Sequence, residues 1–118
     1  MKALILISLL IIHCNCYGCD CNSIAGLYEA KSVFKGEVVA VKNVNDSGWH
    51  TEITFKIFEV IKGEIKSNFF IVDSPNCPYD ACCGIPFKVN DKYIVYTVLR
   101  VGYKHEFVNI CTETKLLP

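Results

Sequence analysis

The clearest element of the chain is an alternation of apolar and polar residues. From Thr51 to Ile61, Ile53, Phe55 and Ile57 alternate with Glu52, Thr54 and Lys56, the period-two pattern of a half-buried strand. The phase slips at Phe58, after which Phe58 and Val60 are the apolar pair. A slip of one residue predicts a bulge, or a strand that bends from one packing layer to another. Lys62-Gly63-Glu64 ends the segment. Upstream, Val33 to Val44 is rich in Val and Phe and predicts a strand. Val44-Asn45-Asp46-Ser47-Gly48 is a turn by composition.

Three more strands follow in the same pattern. Phe69 to Val72 predicts a short third strand, whose adjacent Phe69 and Phe70 put one ring outward or towards a neighbouring loop. Lys92 to Val98 predicts a fourth, apolar on both faces and therefore central. Glu106 to Ile110 predicts a fifth, ending in Cys111, with Gly102 at the turn before it. Between the third and fourth, Asp73 to Pro86 carries three prolines and three cysteines and predicts a stapled loop. Trp49 follows a turn and is expected in the core or at a rim. One segment has helical spacing: Ile24, Leu27 and Tyr28 behind Ser23 as a cap predict a short helix within Asn22 to Lys31, with Gly26 against it. The expected fold is all-β with a short N-terminal helix. Five strands fit a small closed or nearly closed antiparallel barrel, the five-stranded Greek-key OB-fold. A two-sheet sandwich has the same strand count and stays open as the rival.

The first residues read differently. Lys2 precedes the apolar run Ala3 to Ile12, and Gly18 is a small residue at a plausible cleavage point, the layout of a secretory signal peptide. The run is too short to span a bilayer, which takes about 20 residues. Residues 1–18 are therefore expected to be removed and residues 19–118 to form one secreted domain beginning Cys19-Asp20-Cys21. Cys16-Tyr17-Gly18-Cys19 also has a faint likeness to a bacterial lipoprotein processing site. A bacterial source would place the protein in the periplasm or on a lipid anchor at Cys19. Asn45-Asp46-Ser47 is an N-glycosylation sequon, usable in a eukaryotic source.

Charge narrows the partners. The chain has 12 basic and 12 acidic residues, and loss of Lys2 leaves the acids one ahead. With no basic run and no acidic tail, neither nucleic acid nor a charged membrane surface is expected as partner. Of eight cysteines, Cys14 and Cys16 fall in the leader. Cys19, Cys21, Cys77, Cys82, Cys83 and Cys111 remain, an even number that implies a disulfide framework in an exported chain, with about 15 pairings open. Cys77, Cys82 and Cys83 with His50 or His105 also have the composition of a zinc site, but an oxidising compartment favours disulfides. Neither a bound metal nor a cofactor is expected. With the thiols paired, no nucleophilic cysteine remains, and there is no glycine-rich phosphate loop, His-Glu-x-x-His or Gly-x-Ser-x-Gly. The chain is not expected to be an enzyme.

Several segments, in order, resemble the tissue inhibitors of metalloproteinases and the wider netrin-like domain. They are Cys19-Asp20-Cys21, Val33-Phe34-Lys35-Gly36-Glu37-Val38, Thr54-Phe55-Lys56-Ile57-Phe58-Glu59-Val60-Ile61-Lys62-Gly63, Cys83-Gly84-Ile85-Pro86-Phe87, Tyr93-Ile94-Val95-Tyr96 and Cys111-Thr112-Glu113-Thr114. The resemblance covers essentially all of residues 19–118 and does not extend to the family's C-terminal domain. It implies an OB-like barrel and the disulfides Cys19–Cys83 and Cys21–Cys111, leaving Cys77–Cys82, with Cys82 and Cys83 interchangeable. It implies an inhibitor whose partner is a zinc metalloendopeptidase, and the chain is expected to be a monomer. Cys19 would chelate the target's zinc through its α-amine and carbonyl, Asp20 and Cys21 would contact the protease pocket, and Tyr79 and Ala81 would flank it. Asp20 stands where the family typically has Thr or Ser, and the family's cysteine in the first helix is absent near Tyr28 and Glu29. A secreted netrin-like or OB-like binding or structural module without inhibitory activity is the alternative.

Overall fold

The computed structural model of the chain describes Cys21 and residues 24–44, 50–75 and 84–118. Its elements are the strands β1 (Ser32–Val44), β2 (His50–Lys62), β3 (Phe69–Pro75), β4 (Lys92–Thr97), β5 (Glu106–Phe107) and β6 (Lys115–Leu116). They form one six-stranded sheet in the order β5-β3-β2-β1-β4-β6. Neighbours are antiparallel except β3 and β5, which run parallel. The sheet is mixed and not closed. β5 also meets the residue after β4 at one bridge, where Val98 and Phe107 exchange backbone hydrogen bonds of 2.8 and 2.7 Å.

The two long strands curve because their pairing slips. Between β1 and β2, Lys35 faces Glu59 and Gly36 faces Ile57, so Phe58 is the extra residue. The break in alternation therefore falls at a bulge, which bends the strand and increases its twist. Two further slips lie beside Val33 and Val38. Phe58 and Val60 are exposed rather than core, because beyond the bulge this part of β2 extends past the end of β3, whose pairing with β2 stops at Lys56.

The core is a cluster of Phe34, Val38, Ile53, Phe55, Val72, Phe87, Tyr93, Val95 and Val108. Phe55 meets Phe34 edge-on at 5.3 Å and Phe87 at 5.5 Å, and Phe87 meets Tyr93 at 4.7 Å. Such edge-to-face pairs add to the stabilisation that comes from burial. Phe70 packs on Phe34 at 5.5 Å while Phe69 is exposed, so the adjacent rings do take opposite faces.

Four expectations are corrected. No helix forms among the described residues. Ala25 instead bridges Thr112, and residues 27–29 are a turn. The N–H of Ala25 goes to the Cys111 carbonyl at 2.8 Å and its carbonyl to the Glu113 N–H at 3.0 Å. These bonds replace helical ones, and Gly26 lowers the competing propensity. Six strands stand where five were expected, because Lys115–Leu116 is too short to show a period. The sheet is mixed and not closed, where a closed or nearly closed antiparallel barrel was expected. β5 has two residues, which is too few to continue a ladder along both its neighbours. β3 also runs on through Asp73 and Ser74 to Pro75, into what reads as loop in the sequence. Its pairing with β5 involves only Val72 and Asp73, so the missing N–H of Pro75 interrupts no bond to β5.

Candidate functional site

Two regions gather chemistry, and the sequence singled out only one of them. The first is the N-terminal edge. Cys21 and Cys111 are disulfide-bonded, with Cα atoms 5.4 Å apart. This is the pair named by the resemblance. Four residues on, the bridge between Ala25 and Thr112 continues the attachment. Asn109 supports the other side: its Oδ1 accepts from the Cys111 N–H at 2.9 Å, and its carbonyl accepts from the Thr112 hydroxyl at 2.8 Å. Beyond the anchor, Ile24, Leu27 and Tyr28 are exposed, and Lys62 Nζ donates to the carbonyls of Leu27 and Tyr28 at 2.8 and 3.0 Å. Cys19, Asp20, Asn45, Trp49, Cys77, Tyr79, Ala81, Cys82, Cys83 and the leader at 1–18 lie outside the described residues. The described ends of the 76–83 segment do meet. Gly84 packs against the Pro75 carbonyl, where a Cβ would have no room.

The second region was not foreseen. His50 and Glu52 are two apart on β2 and so share a face. On β3, Asp73 pairs directly with Glu52. Like charges directly opposite each other destabilise a sheet, and Asp73 is fully buried, so this pair needs positive or donor groups. His105, just before β5, supplies them. Its backbone N–H donates to Asp73 Oδ2 at 2.9 Å, and its ring Nδ1 lies 3.1 Å from Asp73 Oδ1. His50 Nε2 is 3.7 Å from the same oxygen, and His105 Nδ1 is 3.8 Å from Glu52 Oε2. The Tyr103 ring meets His50 edge-on at 5.6 Å and leans on Phe107 at 4.6 Å, while the Arg100 guanidinium sits 4.5 Å over the Phe107 ring. Beside the cluster a surface depression of about 560 Å³ is lined by Phe70, Ile71, Arg100, Tyr103 and His105, among others.

In the sequence the two histidines stood only as candidate partners for cysteines. Glu52 read as a solvent-facing residue of an alternating strand, and Asp73 as loop. The one available signal was the spacing His50-x-Glu52, which puts imidazole and carboxylate on one face.

Comparison of the chain with protein-family models gives no match, and none of the curated proteins matches it. Among the described residues, no helix is long and apolar enough to cross a membrane.

Proposed function

We propose that the chain is an exported inhibitor of zinc metalloendopeptidases that resembles the tissue inhibitors of metalloproteinases and acts through the α-amine and carbonyl of Cys19. The observation that carries this reading is the anchoring of Cys21 to Cys111, extended by the Ala25–Thr112 bridge. It fixes the chain two residues from the proposed chelating group. Rigid presentation lowers the ordering cost of binding. The α-amine of a protein titrates near about 7.7–8.0, so a useful fraction is neutral at neutral pH. Amine nitrogen and carbonyl oxygen of one residue close a five-membered ring on a metal. A catalytic zinc has three protein ligands and a water, and that water is what the ring would displace. The exposed apolar side chains of Ile24, Leu27 and Tyr28 supply contact area beside the wedge. The strand order β5-β3-β2-β1-β4, with the Val98–Phe107 bridge between its extremes, supports the OB-like part of the reading.

Asp20 favours a second reading, a secreted binding module without inhibitory activity. A carboxylate entering an apolar protease pocket is desolvated at a cost unless it is paired.

N-terminal sequencing of the exported protein, followed by inhibition assays on a panel of zinc endopeptidases, decides between the two. The first reading expects a free Cys19 amine, with inhibition abolished by one added N-terminal Ala. Equal inhibition with and without the Ala, or an acylated or extended N-terminus, rules it out.

A further inference from the structure

We propose that His50, Glu52, Asp73 and His105 form a binding site for a divalent transition-metal ion, with zinc as its natural occupant. The side chains come from three places in the fold: two from β2, one from β3 and one from the lead-in to β5. One donor atom from each of His50, Glu52 and Asp73 lies within 4.8 Å of the others. His105 stands outside that group of three, with its Nδ1 3.1 Å from Asp73 Oδ1 and 3.8 Å from Glu52 Oε2. Nitrogen and oxygen ligands sit about 2.0–2.2 Å from a tetrahedral zinc, which puts neighbouring ligands roughly 3.3–3.6 Å apart. The separations of 3.1, 3.7 and 3.8 Å bracket that spacing.

Two of these contacts are too long for hydrogen bonds, so the hydrogen bonds from His105 to Asp73 do not account for the approach of His50 and Glu52. Asp73 is held between the two imidazoles, and Glu52, whose side chain is 24 % exposed, has room to close on an ion. The backbone N–H of His105 on Asp73 Oδ2 orients the carboxylate and leaves Oδ1 towards both rings, as an outer-shell hydrogen bond does at metal sites. Tyr103 covers one side of His50. All-oxygen sites suit magnesium or calcium, whereas two imidazoles with carboxylates select zinc and its first-row neighbours. With His50, Glu52 and Asp73 already grouped and His105 closing on the ion as a fourth ligand, the site is structural. The ion would tie the 99–105 loop and β5 to the sheet, and would neutralise two carboxylates facing each other across β2 and β3.

The test uses the whole chain with its cysteines oxidised and its free-thiol content checked, stripped with a chelator. Zinc, magnesium and calcium are titrated separately while heat release and melting temperature are followed. Zinc should bind once per chain and raise the melting temperature to saturation, and the other two ions should not. H50Q and H105Q should each weaken zinc binding by at least about tenfold, the scale on which site residues act, whether or not their metal-free melting temperatures change. If either variant does not fold, X-ray absorption of the zinc-loaded wild type decides. A nitrogen and oxygen first shell with imidazole scattering is expected. No saturable binding, a sulfur ligand, or wild-type affinity in both histidine variants overturns the proposal.

Discussion

The backbone N–H of His105 donates to Asp73 Oδ2 at 2.9 Å while the ring Nδ1 of the same residue lies 3.1 Å from Oδ1. One residue thus holds both oxygens of a fully buried carboxylate. The contact comes immediately before the parallel pairing of Val72 with Glu106 and Asp73 with Phe107. A two-residue strand has too few bonds of its own to fix its position. The grip on Asp73 helps set β5 in register, together with the backbone bonds between Phe107 and Val98 and from the Val108 N–H to the Asp73 carbonyl.

Replacing Asp73 with Asn keeps the shape and removes the charge. Hydrogen bonds to charged groups contribute about 1.5–3 kcal/mol each. D73N should therefore lose roughly 2 kcal/mol in urea unfolding. Amide exchange at His105 and Phe107 should quicken well before that of the β1–β2 core. A loss spread evenly over the sheet would mean that Asp73 does not hold β5 in particular.

Gly63 closes β2 with φ of 101°. A Cβ there would stand 2.6 Å from the Ser32 hydroxyl and 3.2 Å from the Lys31 carbonyl. Gly102 has a similar φ of 95° with open space around it. Both alanine variants carry the backbone cost, about 1–2 kcal/mol, but only Gly63→Ala adds a collision with buried Ser32. G63A should be the more destabilised by at least about 1 kcal/mol in chemical denaturation. Equal losses would show that Ser32 moves aside freely.

Much of this sheet is legible in the chain, and the reasons differ by residue. Ile53 and Phe55 alternate with polar neighbours because one face of β2 packs on the core, so period two survives in the sequence. Phe58 breaks that period because it is the bulged residue, and a bulge is a local event that leaves a local trace. β6 leaves none, since Lys115 and Leu116 are strand only through pairing with Ile94 and Tyr93. The helix expected around Ile24 and Leu27 fails for the same reason. Partners more than eighty residues away take the backbone bonds of Ala25, and no local pattern reports them. The carboxylate–imidazole cluster is equally non-local. Glu52 and His105 look like ordinary polar positions until β3 and the lead-in to β5 bring them to Asp73.

Burial raises the pKa of Tyr93 above its usual 10.0, the largest influence, and the charge of Asp91 adds to it, while a backbone hydrogen bond at Lys88 pulls the other way. The folded protein therefore holds this phenolic proton more tightly than the unfolded chain. Above pH 10 the unfolded chain binds fewer protons, so stability falls as pH rises. The contribution is complete below the unfolded pKa and is lost on the way through the folded one. Y93F has no such proton to lose. Its unfolding free energy should decline less steeply than that of the wild type between pH 9.5 and 11.5, read from urea curves at each pH. Parallel slopes would mean that the phenol ionises as easily folded as unfolded.

Cys21 and Cys111 are 90 positions apart, and the bond between them closes nearly the whole described chain into one loop. A loop of that length removes roughly 4–5 kcal/mol of chain entropy from the unfolded state in the loop-closure model. The double variant C21S/C111S should lose much of that in guanidinium unfolding under oxidising conditions. The loss should also be uneven. The Ala25–Thr112 bridge has two backbone bonds, one to Cys111 itself, and without this covalent tether it holds the N-terminal segment against fraying with only the Lys62 bonds to Leu27 and Tyr28 beside it. Amide exchange at Ala25 and Glu113 should therefore rise by more than the global change accounts for, while Phe34 and Phe55 follow the global change. If the N-terminal segment acts as the proposed wedge, inhibition should fall further than stability in the same variant. A variant that is destabilised yet protects Ala25 as before would show that the bridge, rather than the disulfide, fixes the N-terminus.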